Sequence, residues 1–257
     1  MTFADWLALR EPADAAARAP DLVERVRGDL LPGAIIHDLG SGTGSMGRWL
    51  APRLPAPQRW ILHDRDADLL ERAVAAMPGV ETRQRDITRL GTDDLDGASL
   101  VTASALLDML TAEEVGRVVA ACARAGCPAL LTLSVTGRVE LTPPDPLDAD
   151  IAGAFNAHQR RTVGDRTLLG PDAVDAAVEA FDRCGMTVLV QPSPWRLGAD
   201  QADLVAEWFR GWVTAACEQR PELRGAAAAY ASRRLADAAA GRLRVVVQHD
   251  DLLAGWK

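Results

Sequence analysis

Residues 34–51 read AIIHDLGSGTGSMGRWLA, an apolar run that stops on an acid, then glycine at three alternate positions, then helical spacing of apolar residues. A short apolar run bounded by turn residues is a buried strand, and the spacing beyond the glycines is that of a helix, so the chain must make a strand, a tight turn and a helix in succession. The alternation continues. RWILHD, GVETRQRD, ASLVTAS and PALLTLSV read as strands, and DADLLERAVAAM and TAEEVGRVVAACARA read as helices. PDAVDAAVEAFDRCG is a further helix before the strand MTVLVQPS, and RLRVVVQHD is the last strand. Strands alternating with helices make an α/β fold with a doubly wound, mostly parallel sheet.

A chain of 257 residues supports one large domain or one domain with an appendage. Residues 1–33 read as an N-terminal helical cap, DLVERVRGDLL being its second helix, and residues 34–257 as the main domain. Within it, prolines break the rhythm at 140–170, a candidate lid or substrate-facing segment, and a helical insertion occupies 200–240 before the last strand.

Composition removes several chemistries. The formal net charge is -8, whereas a nucleic-acid partner needs a basic stripe. The single lysine is Lys257 and the single tyrosine is Tyr230, so neither a P-loop lysine, nor an internal Schiff-base lysine, nor a Tyr-x-x-x-Lys pair is available. Cys122, Cys127, Cys184 and Cys217 form no C-x-x-C and have no histidine at zinc-ligand spacing, so reduced thiols and no metal site are expected. The start MTFADWLALREPADAA carries acids and no apolar core of a leader, and no run reaches membrane-spanning length, so a cytoplasmic protein without a membrane partner is expected.

The glycine loop supports two readings. Gly42, Gly44 and Gly47 spell the G-x-G-x-x-G of a dinucleotide site, whereas Asp38, Gly40, Gly42 and Gly44 spell an acidic D-x-G-x-G-x-G. Charge separates them. An acid at the strand end repels a pyrophosphate by roughly 4 kcal/mol at about 4 Å and an effective dielectric near 20. A cationic ligand reverses the sign.

With Asp38-Leu39-Gly40-Ser41-Gly42-Thr43-Gly44 complete, the chain resembles the class I S-adenosylmethionine-dependent methyltransferases. The resemblance covers about residues 34–135 and extends through the strands at 186–191 and 243–248. It implies a Rossmann-like, seven-stranded, mostly parallel sheet and S-adenosylmethionine as cofactor, whose sulfonium and ammonium groups suit Asp38. It also implies that Asp64, ending the second strand, bonds the ribose hydroxyls, that Asp86 lies near the adenine amino group, and that Ile87 packs on the ring. Arg65 and Ser104 complete the expected cofactor set. His63 departs from the pattern, where an apolar residue is usual, and makes a more polar ribose neighbourhood expected.

Methyl transfer is an in-line displacement served mainly by proximity and alignment. Where the acceptor must lose a proton, the candidate general bases are His158 in FNAHQRRT and Asp108, beyond the fourth strand; solvation and helix capping are their respective alternatives. Arg160, with Arg161 and Arg166, is a candidate for an anionic substrate group, or else a solvated face answering Asp148, Asp150 and Asp165. Trp195 is a candidate lining of the substrate cavity, whereas Trp208, Phe209 and Trp212 read as core or a dimer contact. His37 reads as structural and His249 as peripheral. The expected function is methyl transfer to a small-molecule acceptor by a monomer or homodimer. Two alternatives stand beside it: an NAD(P)-dependent oxidoreductase using the same loop, and a non-catalytic binding or scaffold protein of this fold.

Overall fold

The computed structural model describes residues 1–91 and 93–255. Lys257 lies outside them. Two helices, α1 (Phe3–Ala17) and α2 (Pro20–Asp29), precede β1 (Ala34–Leu39), α3 (Ser45–Leu50), β2 (Gln58–Asp64), α4 (Ala67–Ala76) and β3 (Glu81–Gln84). There follow β4 (Leu100–Ser104), α5 (Ala112–Ala125), β5 (Ala129–Thr142), α6 (Asp148–Gln159), and the small hairpin β6 (Thr162–Val163) and β7 (Arg166–Thr167). The chain continues through α7 (Ala173–Arg183), β8 (Thr187–Pro192), β9 (Trp195–Leu197), α8 (Ala202–Gln219), α9 (Arg224–Ala239) and β10 (Arg244–Gly255).

The main sheet runs β3-β2-β1-β4-β5-β10-β8, with β9 beside β10. The strands from β3 to β5 are parallel, and β10 is antiparallel to both β5 and β8. The expected seven-stranded, mostly parallel sheet is therefore present, and β9 extends it. Helices cover both faces, which is why the inner strands are apolar almost throughout. Leu39, Val101, Ala103 and Leu131 pack with α5 and α7 on one side, while Ile36, Leu62, Leu100 and Leu130 pack with α2, α3 and α4 on the other.

The segment from 140 onward does not start as a loop, because β5 runs on to Thr142 alongside the equally extended β10. The polar residues of VTGRVELT hid this continuation; they face partly outward where the two strands leave the sheet's covered part. The protruding ends of β5 and β10 are the floor of a third core, in which Leu141, Val245 and Val247 meet Phe209, Trp212 and Tyr230 of the insertion. Tyr230 donates to Asp148 at 2.6 Å, and buried Arg234 donates to both Asp148 oxygens, so α9 fastens the start of α6.

His37 is structural, as expected, but His63 is its partner rather than part of the ribose site. The two buried rings stack with centroids 5.1 Å apart, and His63 Nε2 lies 3.1 Å from His37 Nδ1. His249 is not peripheral. It is 3% exposed and sits 5.4 Å from the Trp195 ring. Burial pushes these imidazoles down, His37 to about 4 and His63 and His249 to about 3.

A depressed histidine favours the fold fully above the unfolded value near 6.5, and that contribution drains away as pH falls toward the folded value. Between pH 6.5 and 5 one such imidazole loses about 2 kcal/mol of stabilisation. Urea unfolding of His63→Leu is expected to show a stability–pH slope flatter by about that amount over this window. An unchanged slope would mean that His63 takes up its proton in the folded protein.

No helix among the described residues is long and apolar enough to cross a membrane. Nor do the described residues contain a group of three or more metal-ligating side chains.

Candidate functional site

A cavity of about 310 Å³ opens at the carboxyl ends of β1, β2 and β4. Strand order reverses between β1 and β4, and such a reversal leaves a crevice in a doubly wound sheet. Asp38, Gly40, Ser41, Gly42, Thr43, Asp64, Arg65, Asp86, Ile87 and Ser104 all line it. Gly44 does not; it is the left-handed residue (φ 82°) from which α3 starts.

The turn after β1 needs its glycines. Gly40 has φ 63°, and a Cβ there would lie 2.9 Å from Leu106 Cδ1. Gly42 has φ 53°, and its N–H donates to Asp64 Oδ2 at 2.8 Å. Gly47, the last glycine of the dinucleotide pattern, lies inside α3 against Met77 and Trp60 and lines no part of the cavity.

Asp38 is 1% exposed. Its Oδ1 accepts from Thr102 Oγ1 at 2.7 Å, while its Oδ2 is buried with no partner among the described residues. Burial raises the carboxyl to about 7, against the pull of the Thr102 hydrogen bond and the Arg18 charge. Ser41 Oγ is likewise buried and unpartnered among the described residues. A buried acceptor left without a donor costs about 1–3 kcal/mol, so these two atoms ask for a ligand that supplies hydrogen-bonding groups, and Asp38 asks for a donor or cation.

Asp64 accepts from Gly42 N and, through Oδ1, from Asp66 N at 3.0 Å; each oxygen keeps capacity for a ligand hydroxyl. Asp86 caps its own turn, accepting from Thr88 N at 3.0 Å and Thr88 Oγ1 at 2.8 Å, and these bonds hold its carboxyl below the usual range. Capping and cavity lining are thus combined in one residue. Beyond β4, Ala105 adopts φ 52° on the cavity wall, a conformation that a residue with a Cβ adopts at a cost of roughly 1–2 kcal/mol.

The roof of the cavity is the N-terminal helix α1, a placement that apolar periodicity does not reveal. Phe3, Leu7, Arg10 and Asp14 all line it, at helical spacings of four, three and four residues. Glu11 receives two bonds from Arg48, whose Nη1 also reaches the Thr43 carbonyl in the glycine loop. Asp14 accepts from Arg10 Nε at 2.9 Å and Nη2 at 3.1 Å and from Trp195 Nε1 at 2.9 Å. A charged i, i+4, i+8 row at Arg10, Asp14 and Arg18 was the available signal, since charges that face inward on a helix need a polar reason to be there.

The expected substrate and base residues fall elsewhere. His158 Nε2 lies 3.1 Å from Glu218 Oε2 and its Nδ1 3.3 Å from Arg161 Nη1, between α6 and α8 and outside the cavity. Arg160 is an exposed residue clamped on Asp172 at 2.6 Å, so it is a surface pair. Trp195 is buried behind Asp14 and Arg10 rather than on the wall itself. Of the three arginines, only Arg166 reaches the cavity, bonded to both Glu114 oxygens at 2.7 and 2.8 Å. Asp108 is half-buried between lining residues Leu106 and Met109 without lining the cavity itself; burial raises its carboxyl, opposed by Arg10 and Arg161.

Residues 36–128, which hold the strand, the glycine loop and all three acids, match the family model described as a methyltransferase domain. Within these residues, about a third of the chain, the sequence is similar to a methyltransferase domain. The cofactor expected from its glycine loop is S-adenosylmethionine, and the match does not favour the dinucleotide alternative. Among curated proteins none matches the chain.

Solved structures share the fold at low identity. An O-methyltransferase family protein from Burkholderia thailandensis superposes with a TM-score of 0.51 at 17% identity, over 74% of this chain and 55% of that one. The present chain thus spans little more than half of that relative. A protein from Bacillus halodurans C-125, provisionally described as a methyltransferase, gives 0.51 at 15% identity over 92% and 97% of the two chains. A mycolic acid cyclopropane synthase, solved with S-adenosylhomocysteine and CTAB, gives 0.50 at 15% identity over 90% and 82%.

Proposed function

We propose that this protein transfers a methyl group from S-adenosylmethionine to a small-molecule acceptor held beneath α1. The observation that carries the reading is the buried Asp38 Oδ2 on the cavity wall, without a partner among the described residues. The cofactor supplies an activated methyl group on a sulfonium. The chain's residues bind and orient it: Asp38 and Ser41 face the ammonium end, Asp64 takes the ribose hydroxyls, and Asp86 with Ile87 takes the adenine. Arg65 and Ser104 complete the wall. Leu7, whose Cδ1 lies 3.0 Å from where a Gly42 Cβ would be, keeps water from the loop.

Asp108 is the better of the two general-base candidates. Its raised carboxyl sits between two wall residues, whereas His158 is spent on Glu218 and Arg161. On the acceptor side α1 adds Arg10 and Asp14 to the wall, and Arg166 reaches it from β7.

Titration calorimetry with S-adenosylmethionine, S-adenosylhomocysteine and NADH tests the cofactor assignment. Micromolar binding of the two adenosyl ligands with no NADH binding is expected; binding of NADH alone would overturn it.

Asp38 also sets a pH dependence. The free carboxyl titrates at about 7, and an approaching ammonium favours its charged form, so binding strengthens as pH rises toward 7. From pH 7 down to 5.5 the affinity for S-adenosylmethionine is expected to fall by up to about tenfold per pH unit. The same calorimetric titration repeated across this window checks it, and a flat profile would remove Asp38 from the ammonium site.

A further inference from the structure

At the joint between α1 and α2 lies an arginine that the cofactor assignment leaves unused. Arg18 caps the end of α1 and is 2% exposed. Its Nη2 donates to Ser104 Oγ at 3.0 Å, while Nε and Nη1 are buried with no partner among the described residues. Its guanidinium carbon stands 5.2 Å from the ring centre of Trp49. A buried cation held by a neutral hydroxyl and an indole face is costly unless opposite charge lies within reach.

The carboxyls of Asp14, Asp251 and Asp38 supply that charge, and they are not equally free to do so. Asp14 is ion-paired with Arg10 on the same helix at 2.9 Å. Asp251 on β10 accepts from three neutral donors, among them the N–H of Ala19, the residue after Arg18. Asp38 has the hydroxyl of Thr102 and an unpartnered Oδ2 among the described residues. Asp64, from β2, adds a like charge that Asp38 must oppose.

One strand fixes Arg18 relative to Asp38. Thr102 and Ser104 are two residues apart on β4, so their side chains share a face with their Cα atoms roughly 7 Å apart. Thr102 holds Asp38, and Ser104 holds Arg18. Cation and carboxyl are therefore neighbours that do not meet, and in a dry interior such charges act on each other without contact. Asp38 and Ser104 both line the first cavity, so this relation is built into its wall.

We propose that Arg18 is a positioning residue of the cofactor site: it acts through Asp38, giving that carboxyl an opposite charge from the α1–α2 joint and keeping it ready for a ligand's ammonium group. Without Arg18, Asp38 faces a hydroxyl and a like charge, takes up a proton more readily, and becomes a poor partner for an ammonium. Arg18 and Ala19 are adjacent, so the seating of the joint on β4 and β10 and the charge on Asp38 are set together. The ammonium-bearing ligand rests on the methyl-transfer reading, whereas the charge relation is measurable in the protein alone.

Carbon NMR of the intact chain labelled at its aspartate carboxyls tests the charge relation, with the Asp38 resonance assigned by its loss in Asp38→Asn. In Arg18→Met the midpoint of Asp38 is expected to rise by about one pH unit from its value of about 7. An apolar side chain of similar length commonly replaces a buried charge without loss of fold. Arg18→Gln keeps a donor for Ser104 and removes the charge, so it is expected to give the same shift and serves if the methionine variant does not fold. A midpoint that moves by less than about 0.3 unit in the folded variant would overturn the proposal.

Calorimetry with S-adenosylhomocysteine reads the consequence. At pH 7 Arg18→Met is expected to bind about fivefold more weakly, as the charged fraction of Asp38 falls from about a half to about a tenth. At pH 8.5 the loss shrinks to less than about twofold, and in an Asp38→Asn background Arg18→Met changes affinity by less than about twofold at either pH. A loss of equal size at both pH values, or one that persists in the Asp38→Asn background, would mean that Arg18 acts on the ligand or the fold directly, and would overturn its action through Asp38. If the Asp38 midpoint moves as described and S-adenosylhomocysteine does not bind the wild type, the charge relation stands and the methyl-transfer reading falls.

Discussion

Replacing Asp64 by alanine is expected to weaken S-adenosylmethionine binding by two to three orders of magnitude, about 3–4 kcal/mol, from two losses that act together. The first is direct: the carboxylate is the acceptor proposed for the ribose hydroxyls. The second comes through the loop. Asp64 Oδ2 is the acceptor for the Gly42 N–H, 22 residues earlier, and holds the glycine turn in its left-handed form. Asp64→Asn keeps an oxygen for Gly42 and is expected to fall between the two. Calorimetry decides the matter, since an alanine variant within threefold of wild type would take the ribose away from this residue. Thermal unfolding of the same variant separates lost binding from lost structure.

The second large effect concerns stability. Asp251 is 1% exposed and accepts from Ala19 N at 2.8 Å, Leu133 N at 2.7 Å and Ser193 Oγ at 2.5 Å. Burial raises its carboxyl while these three bonds and Arg18 pull it back down. In Asp251→Ala all three donors lose their acceptor in a dry interior, and Leu133 loses the bond that accompanies its left-handed backbone at φ 57°. A loss of about 3–5 kcal/mol is expected, or roughly 10 °C in Tm for a domain of this size. Denaturant unfolding measures it. A change below about 1 kcal/mol would mean that the cost of burying the carboxylate cancels what its bonds return.

The fold was legible because a doubly wound sheet writes itself as alternation, and β1, β2, β4 and β5 with their helices follow the apolar periods closely. The wall of the first cavity was legible for a related reason: Asp38, Gly40, Gly42 and Asp64 sit at strand ends or in the turn that follows, where local sequence and position in the fold coincide. Legibility ends where contacts are distant in sequence. Arg48 to Glu11, Trp195 to Asp14 and Ala19 to Asp251 tie the roof to three separate regions, and periodicity carries no information about them. Arg160 and His158 fall outside the cavity lining for a complementary reason. Both look functional by type, yet each found a partner on a neighbouring element, Asp172 and Glu218, that only the folded chain supplies.

The bond from Ala19 N to Asp251 joins positions 232 residues apart. On a ribosome, the roof of the cavity is made well before the strand that anchors it, so the glycine loop and its acids emerge before they can be enclosed. Closure of so long a loop is entropically late, and it depends on contacts of high sequence separation. A nascent or C-terminally shortened chain can form much of the parallel sheet and still lack a tethered α1. A ligand that needs the roof in place therefore binds only after the strand bearing Asp251 has been made and paired.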